Sequence, residues 1–261
     1  MMAEPVFTPD GERLVPSAHA RGPWDPDAMH GGAPAALAAR ALERLDTPAP
    51  MRCVRLALEF AGPVPLRPVT VHAQITRPGR RLALAEVAVR ADGADVLRGR
   101  ATLLRVGDVE LPAPAEPEAA IAGPGEGRPA HWQGGSEQEG FHLTAIELRF
   151  ARGDWGRGPA LGWFRLARPL VAGEEPTPVQ RAVAFADFGN GLSRVLDFRT
   201  HLFVNTDLTV HLHREPAGEW IALDARTDLD RTGAGQATSV LRDRQGRIGV
   251  AAQSLFVDAR S

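Results

Sequence analysis

The chain of 261 residues contains one pattern twice, a helix followed by four strands, and this repetition restricts the folds open to it more than any other feature. In the first copy, Ala33, Leu37, Ala41 and Leu45 recur at the spacing of one helix face. Strand-like runs follow at Cys53–Phe60, Val69–Thr76, Leu82–Val89 and Val96–Val106. Asp92-Gly93 joins the last two runs and is typical of a hairpin turn.

The second copy is predicted to begin with a helix at Thr177. Threonine caps helix N-termini, Pro178 suits the first helical position, and Gln180 stands at the capping-box position. Gly189-Asn190-Gly191 is a plausible end for this helix. The strand-like runs that follow are Asp207–His213, Trp220–Ala225, Ala237–Asp243 and Ile248–Val257.

The two copies align without gaps over their strands. The turn glycines Gly93 and Gly246 are 153 positions apart, and the same shift takes Val54 to Asp207. A further strand candidate precedes each helix, Leu14–His19 in the first copy and Leu161–Ala167 in the second. An antiparallel sheet wrapped around one apolar helix, present twice, predicts an α+β double hot-dog fold made of two tandem hot-dog repeats.

Residues 107–140 are rich in Pro, Gly, Glu and Ala, which is typical of a linker. We therefore expect an N-terminal hot-dog repeat over residues 1–106, a linker over 107–140, and a C-terminal hot-dog repeat over 141–261.

Composition excludes several classes of protein. Lysine and tyrosine are absent, so all 30 residues counted as lysine or arginine are arginines. Without lysine there is no phosphate loop of the Walker type and no pyridoxal Schiff base. A net charge of −2 gives no indication of nucleic-acid binding. The single cysteine, Cys53, excludes intrachain disulfides and thiolate metal clusters.

Neither a signal peptide nor a long apolar segment is evident, so we expect a cytoplasmic protein without membrane association.

Short segments along nearly the whole chain carry a resemblance to a known family. They are Trp24, His30-Gly31-Gly32, the run from Ala186 to Gly191, the run from Asp207 to Arg214, and Ala251-Ala252-Gln253. In this order and spacing they resemble the double hot-dog acyl-CoA thioesterases, the type II or TesB-like group. The resemblance implies hydrolysis of an acyl-CoA by direct water attack, a place in fatty acid metabolism, and a homo-oligomer. It implies no metal or redox cofactor. Coenzyme A enters as part of the substrate.

Asp187 is the candidate general base. It stands at the edge of an apolar helix stripe, where a carboxylate is costly without partners, although an aspartate could also serve there as a helix cap. The resemblance implies that Asp187 orients water together with Gln253 and a third residue. Gln253 lies in an apolar run, where its amide could instead make a structural hydrogen bond. The third residue is Asn205 or, if the alignment slips by one, Thr206; relatives tend to carry a hydroxyl there.

His30-Gly31-Gly32 opens the first helix, where unpaired backbone N–H groups suit a developing oxyanion. The glycines could alternatively serve only close packing. In the similar single-domain hot-dog thioesterases, the glycine comes from one subunit and an acid, about nine residues further along the helix, comes from its partner. By this resemblance the first helix has Ala39 near the acid position, whereas the second keeps Asp187 but lacks the glycines. We therefore expect one composite site between the repeats. Small residues such as Ala35, Ala36 and Ala39 would permit an apolar tunnel beside the helices.

Two rival functions remain open at this level. His30 and Asp187 could serve an enoyl-CoA hydratase or dehydratase, and a non-catalytic protein that binds acyl thioesters would also fit. His211 and His213 share a strand face, but no third ligand follows at a suitable spacing, so no metal site is expected. The phosphates of coenzyme A would need arginines, and the candidates are Arg80, Arg81, Arg214 and Arg242.

Overall fold

One continuous antiparallel sheet carries both repeats in the computed structural model, which describes residues 3–110, 112, 120–131 and 138–260. The strands are β1 (Phe7–Asp10), β2 (Arg13–Pro16), β3 (Met51–Phe60), β4 (Val69–Arg77), β5 (Leu82–Ala91), β6 (Ala94–Arg105), β7 (Arg128–Pro129), β8 (Ile146–Arg152), β9 (Ala160–Leu166), β10 (His201–Asn205), β11 (Asp207–Leu212), β12 (Ile221–Leu229), β13 (Ala234–Asp243) and β14 (Gly246–Ala259). The α-helices are α1 (Gly32–Glu43), α2 (Pro178–Ala186) and α3 (Gly189–Ser193).

The strand order is β1-β2-β4-β5-β6-β3-β11-β14-β13-β12-β9-β8-β7, and β10 pairs with β14 outside this path. The two repeats join where β3 pairs with β11, from Glu59 opposite Asp207 to Arg55 opposite His211. Strands β4, β5 and β6 begin 152 positions before β12, β13 and β14. The predicted duplication and the double hot-dog architecture are therefore confirmed.

Helix α1 is buried on nearly all sides, and half of its twelve residues are alanines. Ala35, Ala36 and Ala39 are at most 1% exposed and belong to the core that both repeats share. Helix α2 packs directly against α1, and a Cβ atom on Gly32 would overlap the carbonyl oxygen of Ala184. Small side chains thus serve the close approach of the two central helices.

The start of α2 is as predicted, but its end is not. The Thr177 side chain accepts a hydrogen bond from the Gln180 N–H at 3.1 Å. The Gln180 side chain, however, donates to Glu43 instead of closing a capping box. The predicted stop at Gly189-Asn190-Gly191 is wrong, since these residues form the first part of α3, in which the Ser193 hydroxyl donates to the Gly189 carbonyl.

Other differences from prediction involve short elements. The strand expected at Leu14–His19 ends at Pro16, where Ser17 caps a 3-10 turn at Ala18–Ala20. Strands β1, β7, β8 and β10 were not predicted, and β7, which lies inside the segment expected to be a linker, pairs with β8. Residues 111, 113–119 and 132–137 of that expected linker lie outside the described residues.

Two further findings bear on the expectations from composition. Among the described residues, no helix is long and apolar enough to cross a membrane, and no three potential metal ligands cluster. Cys53 is buried, and burial raises the pKa of its thiol to about 12.

Candidate active site

Asp187 lies at the C-terminal end of α2 with its side chain only 3% exposed. Its Oδ1 atom accepts a hydrogen bond from Asn205 Nδ2 at 2.8 Å and a longer one from Gln253 Nε2 at 3.3 Å. Its Oδ2 atom lies 3.0 Å from Nδ1 of His30. A buried carboxylate needs such donors, because its desolvation is otherwise uncompensated.

Gln253 connects the two helices of the second repeat. Alternation along β14 turns Ala251, Gln253 and Leu255 toward the interior. The Gln253 amide N–H also donates to the Asp187 carbonyl at 3.1 Å, and its oxygen accepts from the Asn190 N–H at 3.1 Å. Gln253 therefore makes the structural hydrogen bonds that its burial requires and also orients the Asp187 carboxylate.

The structure distinguishes the two candidates for the third residue. Asn205, at the end of β10, contacts Asp187, whereas the exposed Thr206 directs its hydroxyl to the Ser254 carbonyl at 3.4 Å. The alternative placement at Thr206 is therefore wrong. The amide N–H at position 205 supplies a hydrogen-bond donor to the Asp187 carboxylate.

Gly31 and Gly32 have different surroundings. A Cβ atom on Gly31 would lie 2.9 Å from Asp187 Oδ2 and 2.9 Å from Cζ of Phe60. The backbone can therefore lie this close to the carboxylate only because residue 31 is a glycine. The Gly31 N–H has no protein acceptor within the described part of the chain. Gly32 instead packs against α2, and its N–H donates to His30 Nδ1 at 3.1 Å. Of the two glycines expected to bind an oxyanion, only Gly31 lines the cavity described below.

His30 has two alternative hydrogen bonds at one atom. Its Nδ1 reaches both Asp187 Oδ2 and the Gly32 N–H. When protonated, Nδ1 donates to the carboxylate; when deprotonated, it accepts from Gly32. The ring is held by stacking on Phe188, with centroids 4.3 Å apart. One Nδ1 atom is therefore placed to serve either the contact with Asp187 or the contact with Gly32.

A cavity of about 70 Å³ lies beside Asp187, Gly31 and Asn205. Trp24, Phe198 and Phe203 form one wall, with each pair of ring centroids 4.6 to 4.8 Å apart. His142, Trp155 and Phe188 also line the cavity. Ala35, Ala36 and Ala39 do not, so the small residues of α1 do not form the tunnel expected of them.

His142 stands out among the residues that sequence reasoning missed. It belongs to a π-helix at Phe141–Ala145, a rare conformation that is frequent at functional sites. Burial, together with the neighbouring His30, lowers the pKa of its imidazole to about 3. The ring is therefore neutral at ordinary pH. No periodic pattern marks residues 141–145, which explains why they were not singled out.

The arginines considered for coenzyme A lie elsewhere. Arg214 makes paired hydrogen bonds of 2.5 and 2.6 Å with the fully buried carboxylate of Asp243, so it is used structurally. Arg80 and Arg81 are exposed between β4 and β5, and Arg242 lies in β13. None of the four lines the cavity.

The site is composite in its geometry. His30 and Gly31 come from the first repeat, whereas Asp187, Asn205 and Gln253 come from the second. The corresponding place in the first helix holds the buried Ala39. Matched through the strand starts, the position 152 residues before Gln253 holds Ala101, which is 2% exposed. The second, symmetry-related place therefore lacks both the acid and the amide.

Solved structures with this fold are similar over almost the whole chain. A proposed thioesterase from Novosphingobium aromaticivorans is 23% identical, with a TM-score of 0.73, covering 97% of this chain and 99% of the other. A hot dog fold protein of unknown function from Alicyclobacillus acidocaldarius is 15% identical, with a TM-score of 0.73, covering 98% and 96%. The tesB protein of Mycobacterium avium subspecies paratuberculosis is 16% identical, with a TM-score of 0.67, covering 97% and 96%. At these identities the likeness establishes the fold alone.

Family models extend the comparison to the sequence. No curated protein sequence matches the chain. The model of the acyl-CoA thioesterase N-terminal domain matches residues 20–104, and the model of the acyl-CoA thioesterase C-terminal domain matches residues 114–257. The resemblance on which the site residues were predicted is confirmed, and the chain belongs to the acyl-CoA thioesterase family.

Proposed function

We propose that the protein hydrolyses an acyl-CoA, or a related acyl thioester, to the free acid and coenzyme A by direct attack of water. The observation that carries this proposal is a buried carboxylate, oriented by Asn205, Gln253 and His30, in one cavity with a Gly31 backbone N–H that has no acceptor among the described residues.

The hydrogen bonds around Asp187 indicate which oxygen acts. Oδ1 accepts hydrogen bonds from the side-chain amides of Asn205 and Gln253. Among the described residues, Oδ2 can accept a side-chain hydrogen bond from His30 alone. A carboxylate oxygen has two acceptor positions, so Oδ2 retains one for a water molecule. Asp187 Oδ2 then takes a proton as the water oxygen bonds to the thioester carbon.

The Gly31 N–H stabilises the oxygen that becomes negative in this step. It donates to the former carbonyl oxygen, which is the role of oxyanion donors in acyl transfer. Collapse of the tetrahedral species breaks the carbon–sulfur bond, and the proton held by Asp187 passes to the departing thiolate. The proposed reaction uses water, one carboxylate and backbone donors, with no metal or redox cofactor.

Free-thiol release from short, medium, long and aromatic acyl-CoAs tests the proposal. Asp187→Asn removes the base while keeping the shape, and we expect kcat to fall by about 10²- to 10⁴-fold. Asp228→Asn is the matched control, because Asp228 is exposed and far from the cavity, and it should retain full turnover. Equal turnover in Asp187→Asn and wild type would contradict the proposal.

A second candidate is hydration of an enoyl-CoA, because the His30 ring and the Asp187 carboxylate both line the cavity. Their contact at 3.0 Å, however, directs the two groups at each other, whereas a hydratase would direct them at neighbouring substrate carbons. Loss of enoyl absorbance without thiol release would favour the hydratase. Tight binding of acyl-CoA without either reaction would favour a binding protein.

A further inference from the structure

The size of the cavity beside Asp187 limits what can react there. A cavity of about 150 Å³ accommodates benzene, which has six carbon atoms. The present cavity of about 70 Å³ therefore has room for roughly three non-hydrogen atoms. An acetyl group has three non-hydrogen atoms and fits this space, a propionyl group has four and is close to the limit, and a medium-length chain exceeds it.

Rigid rings form the walls, so the cavity does not enlarge easily. Trp24, Phe198 and Phe203 contact one another on one side. On the other side Trp155 is only 8% exposed and packs edge-on against Phe150, with ring centroids 5.3 Å apart. Aromatic side chains have few rotamers, and close packing against a second ring removes most of that freedom.

A second and larger pocket lies behind Trp155. Its volume is about 360 Å³, and the described part of its lining includes Ala130, Leu143, Ile146 and Leu148. His142 and Trp155 line both this pocket and the cavity beside Asp187. These two side chains therefore separate a small reacting space from a partly apolar pocket that is large enough for a longer chain.

We propose that the substrate is a short acyl thioester, with two or three acyl carbons, and that Trp155 sets this limit. The inference rests on the proposed thioesterase function. A longer chain would have to pass the indole of Trp155. Replacing that indole with a methyl group joins the two pockets and opens a path from Asp187 to the apolar side chains behind it.

Hydrolysis rates across chain length test this inference. We would measure kcat/KM for acetyl-, propionyl-, hexanoyl- and decanoyl-CoA with wild type, Trp155→Ala and Trp155→Leu. We expect wild type to favour acetyl- or propionyl-CoA over decanoyl-CoA by at least about tenfold, since even one unaccommodated methylene costs 10-fold or more. Trp155→Ala should reverse this preference, and Trp155→Leu should fall between.

Trp220→Ala is the control variant. Trp220 is also a partly buried tryptophan, but it packs against Arg149 and Arg165 away from the cavity. This variant should keep the wild-type preference. Circular dichroism and the thermal midpoint establish whether each variant is folded, and Trp155→Leu retains more packing if Trp155→Ala unfolds.

Binding of unreactive thioethers separates failure of this inference from failure of the proposed function. S-ethyl-CoA and S-decyl-CoA are measured by calorimetry on the wild-type protein. Hydrolysis with no preference for short chains, or a folded Trp155→Ala that keeps the short-chain preference, overturns the size limit and leaves the thioesterase intact. Tighter binding of S-ethyl-CoA without any hydrolysis supports the size limit and overturns the thioesterase. Tighter binding of S-decyl-CoA to wild type overturns the size limit in either case.

Discussion

At position 205 the amide donates to Asp187 Oδ1, and in the proposed reaction this leaves Oδ2 for water. Asn205→Asp replaces this donor with a second carboxylate at hydrogen-bonding distance, and two carboxylates so close share one proton. We expect the acid limb of the pH profile of kcat/KM to move to higher pH. Asn205→Ser keeps a donor and should leave that limb in place. Superimposable profiles for wild type and Asn205→Asp would contradict the assigned role.

The two adjacent glycines should respond differently to an added methyl group. In Gly31→Ala the methyl group meets the Asp187 carboxylate and the Phe60 ring, so we expect kcat to fall by about 10²-fold through displacement of the site. In Gly32→Ala it meets the α2 backbone, which should lower the free energy of unfolding by about 1–3 kcal/mol. Urea unfolding and thiol release measured on both variants check this. A larger stability loss in Gly31→Ala than in Gly32→Ala would be inconsistent with the assigned contacts.

His142 should contribute a pH dependence to stability. Its pKa is about 3 in the folded protein, against an ordinary value of 6.5, because burial disfavours the charged ring. Between these two values the unfolded chain binds the proton and the folded chain does not, so stability decreases as the pH falls. Urea unfolding of wild type between pH 7 and pH 5 should show this loss. His142→Asn should show a shallower dependence, and an unchanged slope would refute the contribution of this residue.

At the scale of elements, Arg214 and Asp243 tie the end of β13 to the segment after β11. Asp243 also accepts from the backbone N–H groups of Ala217 and Gln245. Removing one partner of a buried pair leaves the other uncompensated, so Asp243→Ala should lower the free energy of unfolding by about 3 kcal/mol. Arg214→Ala should also destabilise the protein without raising KM for acyl-CoA. A raised KM at unchanged stability would return Arg214 to the phosphate-binding candidates.

The sequence predicted those elements whose signals are local. Thr177 and Pro178 marked the start of α2, and the alternating runs marked β3 to β6 and β11 to β14, because caps and periodicity depend on neighbouring residues. Strand β10 has five residues and takes its place only by pairing with β14, so it carries no signal of its own. The continuation from Asp187 into α3 likewise depends on Gln253, which is distant in sequence.

The residues of the candidate site that could be predicted from the sequence are those that the family resemblance implied. Asp187, Gln253, Gly31 and His30 were named in advance, and the structure brings them together. The choice between Asn205 and Thr206 required the orientation of one strand end. Trp155 and His142 were missed because a cavity wall is formed by segments that converge only in the fold.

At the scale of the whole molecule, we expect the repeats to unfold as one cooperative unit. They share a hydrophobic core, in which Leu37 and Leu97 of the first repeat belong to the same cluster as Phe164 and Phe185 of the second. The sheet is continuous through β3 and β11. Unfolding of the first repeat alone would expose the core face of the second repeat. Unfolding of either repeat would also destroy the composite site, because both repeats contribute residues to it.

A core substitution in the first repeat should therefore be detected by reporters in the second. Four of the five tryptophans follow residue 131, among them the buried Trp163. Leu97→Ala in β6 removes a fully buried side chain and should cost about 2–5 kcal/mol. If the halves unfold together, tryptophan fluorescence and far-ultraviolet circular dichroism will report one transition that shifts by the same amount. Leu229→Ala, at a position 36% exposed, should shift this transition little.

A fluorescence midpoint that stays at the wild-type value in Leu97→Ala would mean that the repeats unfold independently. The composite site would then depend on an interface weaker than the shared core implies.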